Sequence, residues 1–235
     1  MSLLLDEITV SYRSTVAVRE VSLELSSGIH ALLGPNGAGK SSLLEVLATL
    51  RKPTSGHFTV DGLSGTAVRR VVGYLPQDNL PKSRFTVREH VAYMCWLKML
   101  DPHAVPAEVD RLIDLADLGG KSDATIASLS GGMRRRVGIA SALVGSPRLV
   151  LLDEASAGLD MAQRDSLRRI LARVSDEAIV LSSTHIVEDI VDLADTITVM
   201  SAGSFVFTGP WQDFCGTRTI NEVKEHYLRL VGEQA

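Results

Sequence analysis

The chain is short of several features, and each shortage removes a class of explanation. Its 235 residues hold no uncharged apolar run near the roughly 18 residues that a spanning helix needs. Work at a membrane is therefore expected to be done from outside it. There are two cysteines, Cys95 and Cys215, with no CxxC or metal-ligand spacing between them. That excludes a disulfide framework or a zinc site and leaves the expectation of reduced thiols in a cytosolic protein. The formal net charge is −4, so the whole chain exerts no general pull on nucleic acid or anionic lipid. No basic segment followed by an apolar one opens the chain, and no signal peptide is expected. Internal repeats, low-complexity tracts and long linkers are also missing. What is there is 45% hydrophobic and 22% charged, a composition for a soluble globular protein large enough to bury a core.

Strand and helix patterns alternate, which predicts an α/β domain around a largely parallel sheet. Leu3–Val10 and Val21–Leu25 read as short strands bounded by polar turns, and Ile29–Leu33 as a buried strand ending in a glycine-rich turn. Leu43, Leu44, Leu47 and Leu50 give Lys40–Leu50 helical spacing, and a strand is expected at His57–Val60. Between Asp78 and Ser146 the pattern becomes helical. Thr86 and Glu89 form a capping-box signature for a helix reaching Leu100, Pro102 and Pro106 break it, and a second helix is expected over Ala107–Leu115. Ser130 reads as the N-cap of a third helix ending near Val144. Strands return at Leu149–Leu152, Ile179–Ser182 and Thr196–Met200. Asp160 with Gln163 starts another helix, reaching Val174, and Asn221–Val231 forms the last. The expected organisation is one domain, with 1–77 and 147–235 as core and β subdomain around a helical insertion at 78–146.

Gly34-Pro35-Asn36-Gly37-Ala38-Gly39-Lys40-Ser41 fits G-x-x-x-x-G-K-[ST], between a buried strand and an amphipathic helix. Glycine lets backbone wrap closely around phosphate oxygens, and the helix start adds unpaired N–H groups with a positive dipole end. Lys40 is read as reaching the β and γ phosphates and the Ser41 hydroxyl as ligating Mg²⁺, with Ser42 beside it in the nucleotide site. Asp153-Glu154 closes an apolar strand, placing two acids at the sheet edge where α/β proteins bind ligands. Such a pair alone also serves to cap or solvate a loop. Beside a P-loop it divides labour: Asp153 for the metal, Glu154 for polarising water.

Leu129-Ser130-Gly131-Gly132-Met133 resembles the LSGGQ signature of ATP-binding cassette (ABC) proteins, and the resemblance extends over essentially the whole chain. Serine followed by two glycines at a helix start is itself a second anion-binding terminus. The resemblance implies a P-loop NTPase core with a mostly parallel sheet, an N-terminal antiparallel β subdomain and an inserted helical subdomain. It implies ATP and Mg²⁺ as the bound species. It also implies a head-to-tail dimer in which Ser130, Gly131 and Gly132 of one chain meet the nucleotide on the other. Tyr12 matches the aromatic that stacks on adenine, Gln77 the glutamine that touches Mg²⁺, and Asp160 closes a loop running across the dimer seam. His185 matches the histidine that bonds the γ phosphate and orients Glu154 and water. Met133 stands where the family usually has glutamine, and Ala155 replaces a common proline.

By the same resemblance the segment 78–100, with Phe85, Tyr93 and Trp96, grips a coupling helix of a separate transmembrane permease subunit. The chain is then a peripheral protein at the inner face of the cell membrane, with an identical or related ATPase as second subunit. The Ser130-Gly131-Gly132-Met133-Arg134-Arg135-Arg136 run is similar to ABC-2 exporters, and importer subunits often carry a further C-terminal domain, so export is the expected direction. The other class open to the sequence is an ABC ATPase acting on nucleic acid, ribosomes or cofactor assembly. No basic arm, coiled coil or tandem domain accompanies the motifs, and nucleic acid is not expected as a partner.

Overall fold

The computed structural model describes residues 1–189, 193–216 and 219–232. Two sheets organise it. The first is antiparallel, in the order β2 (Thr15–Ser26), β1 (Ser2–Tyr12), β4 (Ser55–Val60). The second runs β5 (Val72–Leu75), β6 (Leu149–Asp153), β7 (Ile179–Thr184), β3 (Gly28–Leu33), β8 (Thr196–Ser201), β9 (Ser204–Pro210). All neighbours in it are parallel except β8 and β9. This is the expected ABC-type division, with a mostly parallel sheet and a separate antiparallel one.

Alternation along the parallel strands assigns each face its partner. Leu32, Leu149, Leu151, Ile179 and Leu181 pack on helix α1 (Lys40–Leu47) and the antiparallel sheet. Val150, Leu152 and Val180 point the other way, into a core shared with α2 (Val87–Leu97), α3 (Val105–Leu115), α4 (Gly131–Ala142) and α5 (Met161–Ser175). Toward the β8 end of the sheet, Ala31, Leu33, Ile197 and Val199 meet Trp211 and Phe214 of α6 (Trp211–Phe214) and Val223 and Tyr227 of α7 (Ile220–Gly232).

The expected capping groups are in place. The Thr86 hydroxyl accepts from Glu89 N at 3.1 Å while Thr86 N donates to Glu89 Oε2 at 2.8 Å, closing the box that starts α2. Asp160 Oδ1 accepts from Gln163 N at 2.9 Å at the start of α5. Boundaries differ from expectation where backbone conformation decides them. Helix α1 stops at Leu47 rather than Leu50 because Thr49 turns left-handed, φ 59°. Met99, φ 58°, likewise ends α2 before Leu100. Pro106 lies inside α3 instead of before it, since a first-turn proline gives up no helical hydrogen bond. Strand β9 and helix α6 were not expected. Ser204–Phe207 shows no alternation and is half-buried at a sheet edge, so period-2 patterning gives no signal there. The signal that was available is the Ala202-Gly203 turn, both residues left-handed at φ 47° and 87°, as in two-residue hairpins.

Parallel register carries the strand ends to one edge. Leu33 pairs with Thr184, Asp153 with Ser183, and Leu75 with Leu152. The segments that follow β3, β5, β6 and β7, bearing Lys40, Gln77, Glu154 and His185, therefore leave the sheet side by side.

Candidate nucleotide site

Ala17, Asn36, Gly37, Ala38, Gly39, Lys40, Ser41, Ser42, Gln77 and Glu154 line a cleft of ≈ 270 Å³ at that edge. The loop from Gly34 to Gly39 is glycine-rich for a steric reason. Gly39 has φ 108°, and a Cβ there would sit 2.2 Å from the Ala17 carbonyl oxygen. A Cβ on Gly34 would lie 2.3 Å from the Met200 carbonyl oxygen. Lys40 is buried, and its Nζ donates to the Gly34 and Pro35 carbonyls at 2.7 and 2.9 Å. Burial lowers the pKa of the ammonium, while the charges of Glu154 and Asp153 oppose the shift.

Glu154 is held on both sides. Gln77 Nε2 donates to its Oε2 at 3.2 Å, and His185 Nδ1 lies 2.9 Å from its Oε1. Its backbone N donates to the Ser183 carbonyl at 3.1 Å and reaches the Ser183 hydroxyl at 3.2 Å. That hydroxyl in turn donates to Asp153 Oδ1 at 2.5 Å. Glu154 takes a left-handed conformation, φ 49°, a strained state for a side-chain-bearing residue and one that concentrates at functional sites. A carboxylate fixed between an amide and an imidazole, facing a phosphate-type loop with a buried lysine, can polarise a water against a bound phosphoryl group.

Three comparisons bear on what this site belongs to. A family profile described as ABC transporter matches residues 18–157. The chain belongs to the ABC transporter family. Among curated relatives, the sulfate/thiosulfate import ATP-binding protein CysA of Gloeobacter violaceus is 36% identical over 86% of this chain and 61% of its own length. The methionine import ATP-binding protein MetN 2 of Burkholderia mallei is 38% identical over 84% of this chain and 53% of its own length. The Nod factor export ATP-binding protein I of Rhizobium meliloti is 36% identical over 87% and 63%. The chain thus spans about three fifths of the first of these curated relatives. A solved structure described as the ATP-binding subunit of an ABC transporter superposes with a TM-score of 0.87 at 23% identity, over 98% of this chain and 99% of that one. The dimeric cassette MJ0796 bound to ADP and Pi gives 0.79 at 23%, over 88% and 98%. Both likenesses establish the fold.

The relatives are named as ATP-binding proteins, and Mg²⁺ is the ion that accompanies ATP in such cassettes. The donor chemistry fits that ion. Among the described residues no three His, Cys, Asp or Glu gather into a metal cage. Ser41 and Gln77, which line the cleft, and the nearby Asp153 carboxylate offer hard oxygen donors with one charge, suiting Mg²⁺ that keeps waters and phosphate oxygens as its other ligands.

Other expected site residues sit apart. Tyr12 is the last residue of β1 rather than following it. Its hydroxyl lies 3.1 Å from Ser42 Oγ, and the Arg51 guanidinium lies 4.1 Å from its ring centroid. Ser130 caps α4, its hydroxyl accepting from Met133 N at 3.2 Å. Gly131 is exposed beside it, and Gly132 packs against the Gln163 side chain of α5, next to Asp160. None of Ser130, Gly131, Gly132 and Asp160 lines the cleft around Lys40. Cys95 is buried and Cys215 is partly buried. Two residues in the catalytic surroundings escaped sequence reasoning, Ser183 and Arg135. Ser183 lies near the end of β7, whose residues are nearly all buried, and of the three consecutive arginines on α4 only Arg135 is buried, so no local pattern in the sequence singles out either residue.

Proposed function

We propose that this cassette hydrolyses ATP as part of a dimer enclosing two Mg-ATP molecules and powers transport through a separate membrane subunit. The observation that carries the reading is the Glu154 carboxylate clamped by Gln77 and His185 at the mouth of the P-loop cleft. Glu154 draws a proton from the attacking water, and His185 orients both that carboxylate and the γ phosphate. The N–H groups of residues 36–42 wrap the phosphates, and Lys40 turns from its loop carbonyls to the β and γ oxygens. Ser41, Gln77 and Asp153 would hold Mg²⁺, which would supply neutralisation of the phosphate charge when bound. Tyr12 supports the adenine ring, and Ser130, Gly131 and Gly132 complete the site of the partner chain, with Asp160 at the seam. Their position away from the Lys40 cleft supports that division.

In this reading residues 1–235 form one ABC ATPase domain with a helical subdomain at 78–146. The chain works at the inner face of a membrane. Among the described residues no helix is long and apolar enough to cross one. The second ATPase is an identical or related chain. The direction proposed is export, supported by the Ser130–Arg136 run and by the Nod factor export relative. The sulfate and methionine import relatives favour the opposite direction, and transport in inverted vesicles holding the native membrane subunit distinguishes the two. Glu154→Gln is expected to keep ATP affinity while turnover falls by about 10²- to 10⁴-fold. Lys40→Ala is expected to weaken ATP binding itself. Undiminished steady-state hydrolysis by a clean Glu154→Gln preparation removes the catalytic assignment. A non-transport ABC ATPase is the outcome if no membrane protein co-purifies with the native chain.

A further inference from the structure

We propose that Arg135 is a positioning residue for the hydrolysis, coupling the helix that begins at Ser130 to the acid and the glutamine of its own chain's nucleotide site. Arg135 lies one turn into α4 and is only 2% exposed. Its Nε donates to the Ala155 carbonyl at 3.2 Å. One terminal nitrogen donates to the Pro76 and Gln77 carbonyls at 2.7 and 3.0 Å. The other donates to the Asp153 and Glu154 carbonyls at 2.7 and 2.8 Å. All five donors of a rigid planar fork thus meet backbone carbonyls, and the fork spans two separate segments, 76–77 and 153–155.

Three consequences follow from that geometry. The carbonyls of Asp153, Glu154 and Ala155 converge on one cation, which fixes the strained left-handed turn at Glu154 from the backbone side. The same cation fixes the backbone of Gln77, whose side chain holds Glu154 Oε2, so both ends of that hydrogen bond share one anchor. And Asn79 Nδ2 donates to the Gly131 carbonyl at 3.3 Å, giving the segment after β5 a second tie to the start of α4. A buried guanidinium without a carboxylate contact is costly unless every donor is satisfied, so the arrangement tolerates little relative movement. Burial lowers the pKa of Arg135, and the charges of Asp153 and Glu154 oppose that shift. A displacement of Ser130 by a partner's nucleotide would therefore reach Glu154 and Gln77 as backbone motion.

The inference rests on the assignment of Glu154 as catalytic. Its test measures turnover, ATP affinity and thermal midpoint for the wild-type chain, Arg135→Gln, Arg135→Lys and Glu154→Gln. Glutamine keeps an amide able to serve two of the carbonyls, and lysine keeps the charge. Arg135→Gln is expected to bind ATP within about twofold of wild type while turnover falls up to about 10²-fold, the scale of a small misplacement of a reacting group. Arg135→Lys is expected to recover part of the loss. Wild-type turnover in either folded variant overturns the proposal, as does ATP affinity falling in step with turnover, the mark of general loosening. If glutamine prevents folding, the lysine variant decides by the same criteria. Full turnover in Glu154→Gln would overturn the underlying assignment, and this one with it.

Discussion

His30 shows how a single residue sets a response that the catalytic site does not need. It sits on β3, 4% exposed, with Nδ1 2.7 Å from Thr196 Oγ1 and Nε2 2.7 Å from the Ser26 carbonyl. Burial lowers its pKa from 6.5, against the opposing effects of the Ser26 carbonyl and Asp195. Burial does the same to His90, which lies against Ser141. Below pH 6.5 the unfolded chain gains protons that these imidazoles resist in the folded state, so the unfolded state binds more protons there. Stability is full above that pH and falls as pH drops toward the folded-state values. Urea midpoints are expected to fall between pH 7.5 and 5.5, and to fall less in His30→Gln. A midpoint independent of pH in the wild-type chain would contradict this. Residue chemistry was legible in the sequence where it is local: Gly34–Ser41 and Asp153-Glu154 carry their meaning in adjacent positions. Arg135 was not legible as a site residue, because its five acceptors come from residues 18 to 59 positions away.

Elements were legible in proportion to their own end signals. The two capping boxes and the Ser130 cap fixed the starts of α2, α4 and α5. Strand β9 depends on the neighbour it pairs with; its own residues carry no alternation, and only the Ala202-Gly203 turn before it marks the hairpin. Helix α2 also carries a surface that packing leaves open. Phe85, Tyr93 and Trp96 are 47%, 44% and 70% exposed, and their ring centroids follow one another at 6.0 Å. Beside them runs a cleft of ≈ 720 Å³ lined by Leu50, Arg69, Tyr74, Met94, Leu97 and Lys98. Lys98 closes its floor by donating to the carbonyls of Arg69 and Val72, so α2 and β5 move together. A cluster of exposed aromatic rings of this kind marks a binding partner more often than a solvated face. Phe85→Ala and Trp96→Ala are expected to reduce retention of the membrane subunit by at least about tenfold while basal hydrolysis stays unchanged, since a buried aromatic anchor contributes about 2 kcal/mol or more. Unchanged co-purification of both variants would assign the rings to the surface of the helical layer alone.

At the scale of the molecule, the two phosphate-type helix starts, at Lys40 and Ser130, open on different surfaces of one chain. The α/β class followed from the order of strands and helices and the sheet division from the resemblance to ABC proteins, but the separation of those two surfaces is a property of the assembled layers. In the proposed reading the cleft holding Lys40, Gln77 and Glu154 is one half of a site, and a second chain supplies the other half through its Ser130 turn. Specific turnover measured across a dilution series, with molecular mass followed in the same samples, tests this most directly. The account predicts that turnover per chain falls steeply as the dimer dissociates in ATP and Mg²⁺. Constant turnover per chain in a sample that is monomeric throughout would contradict it.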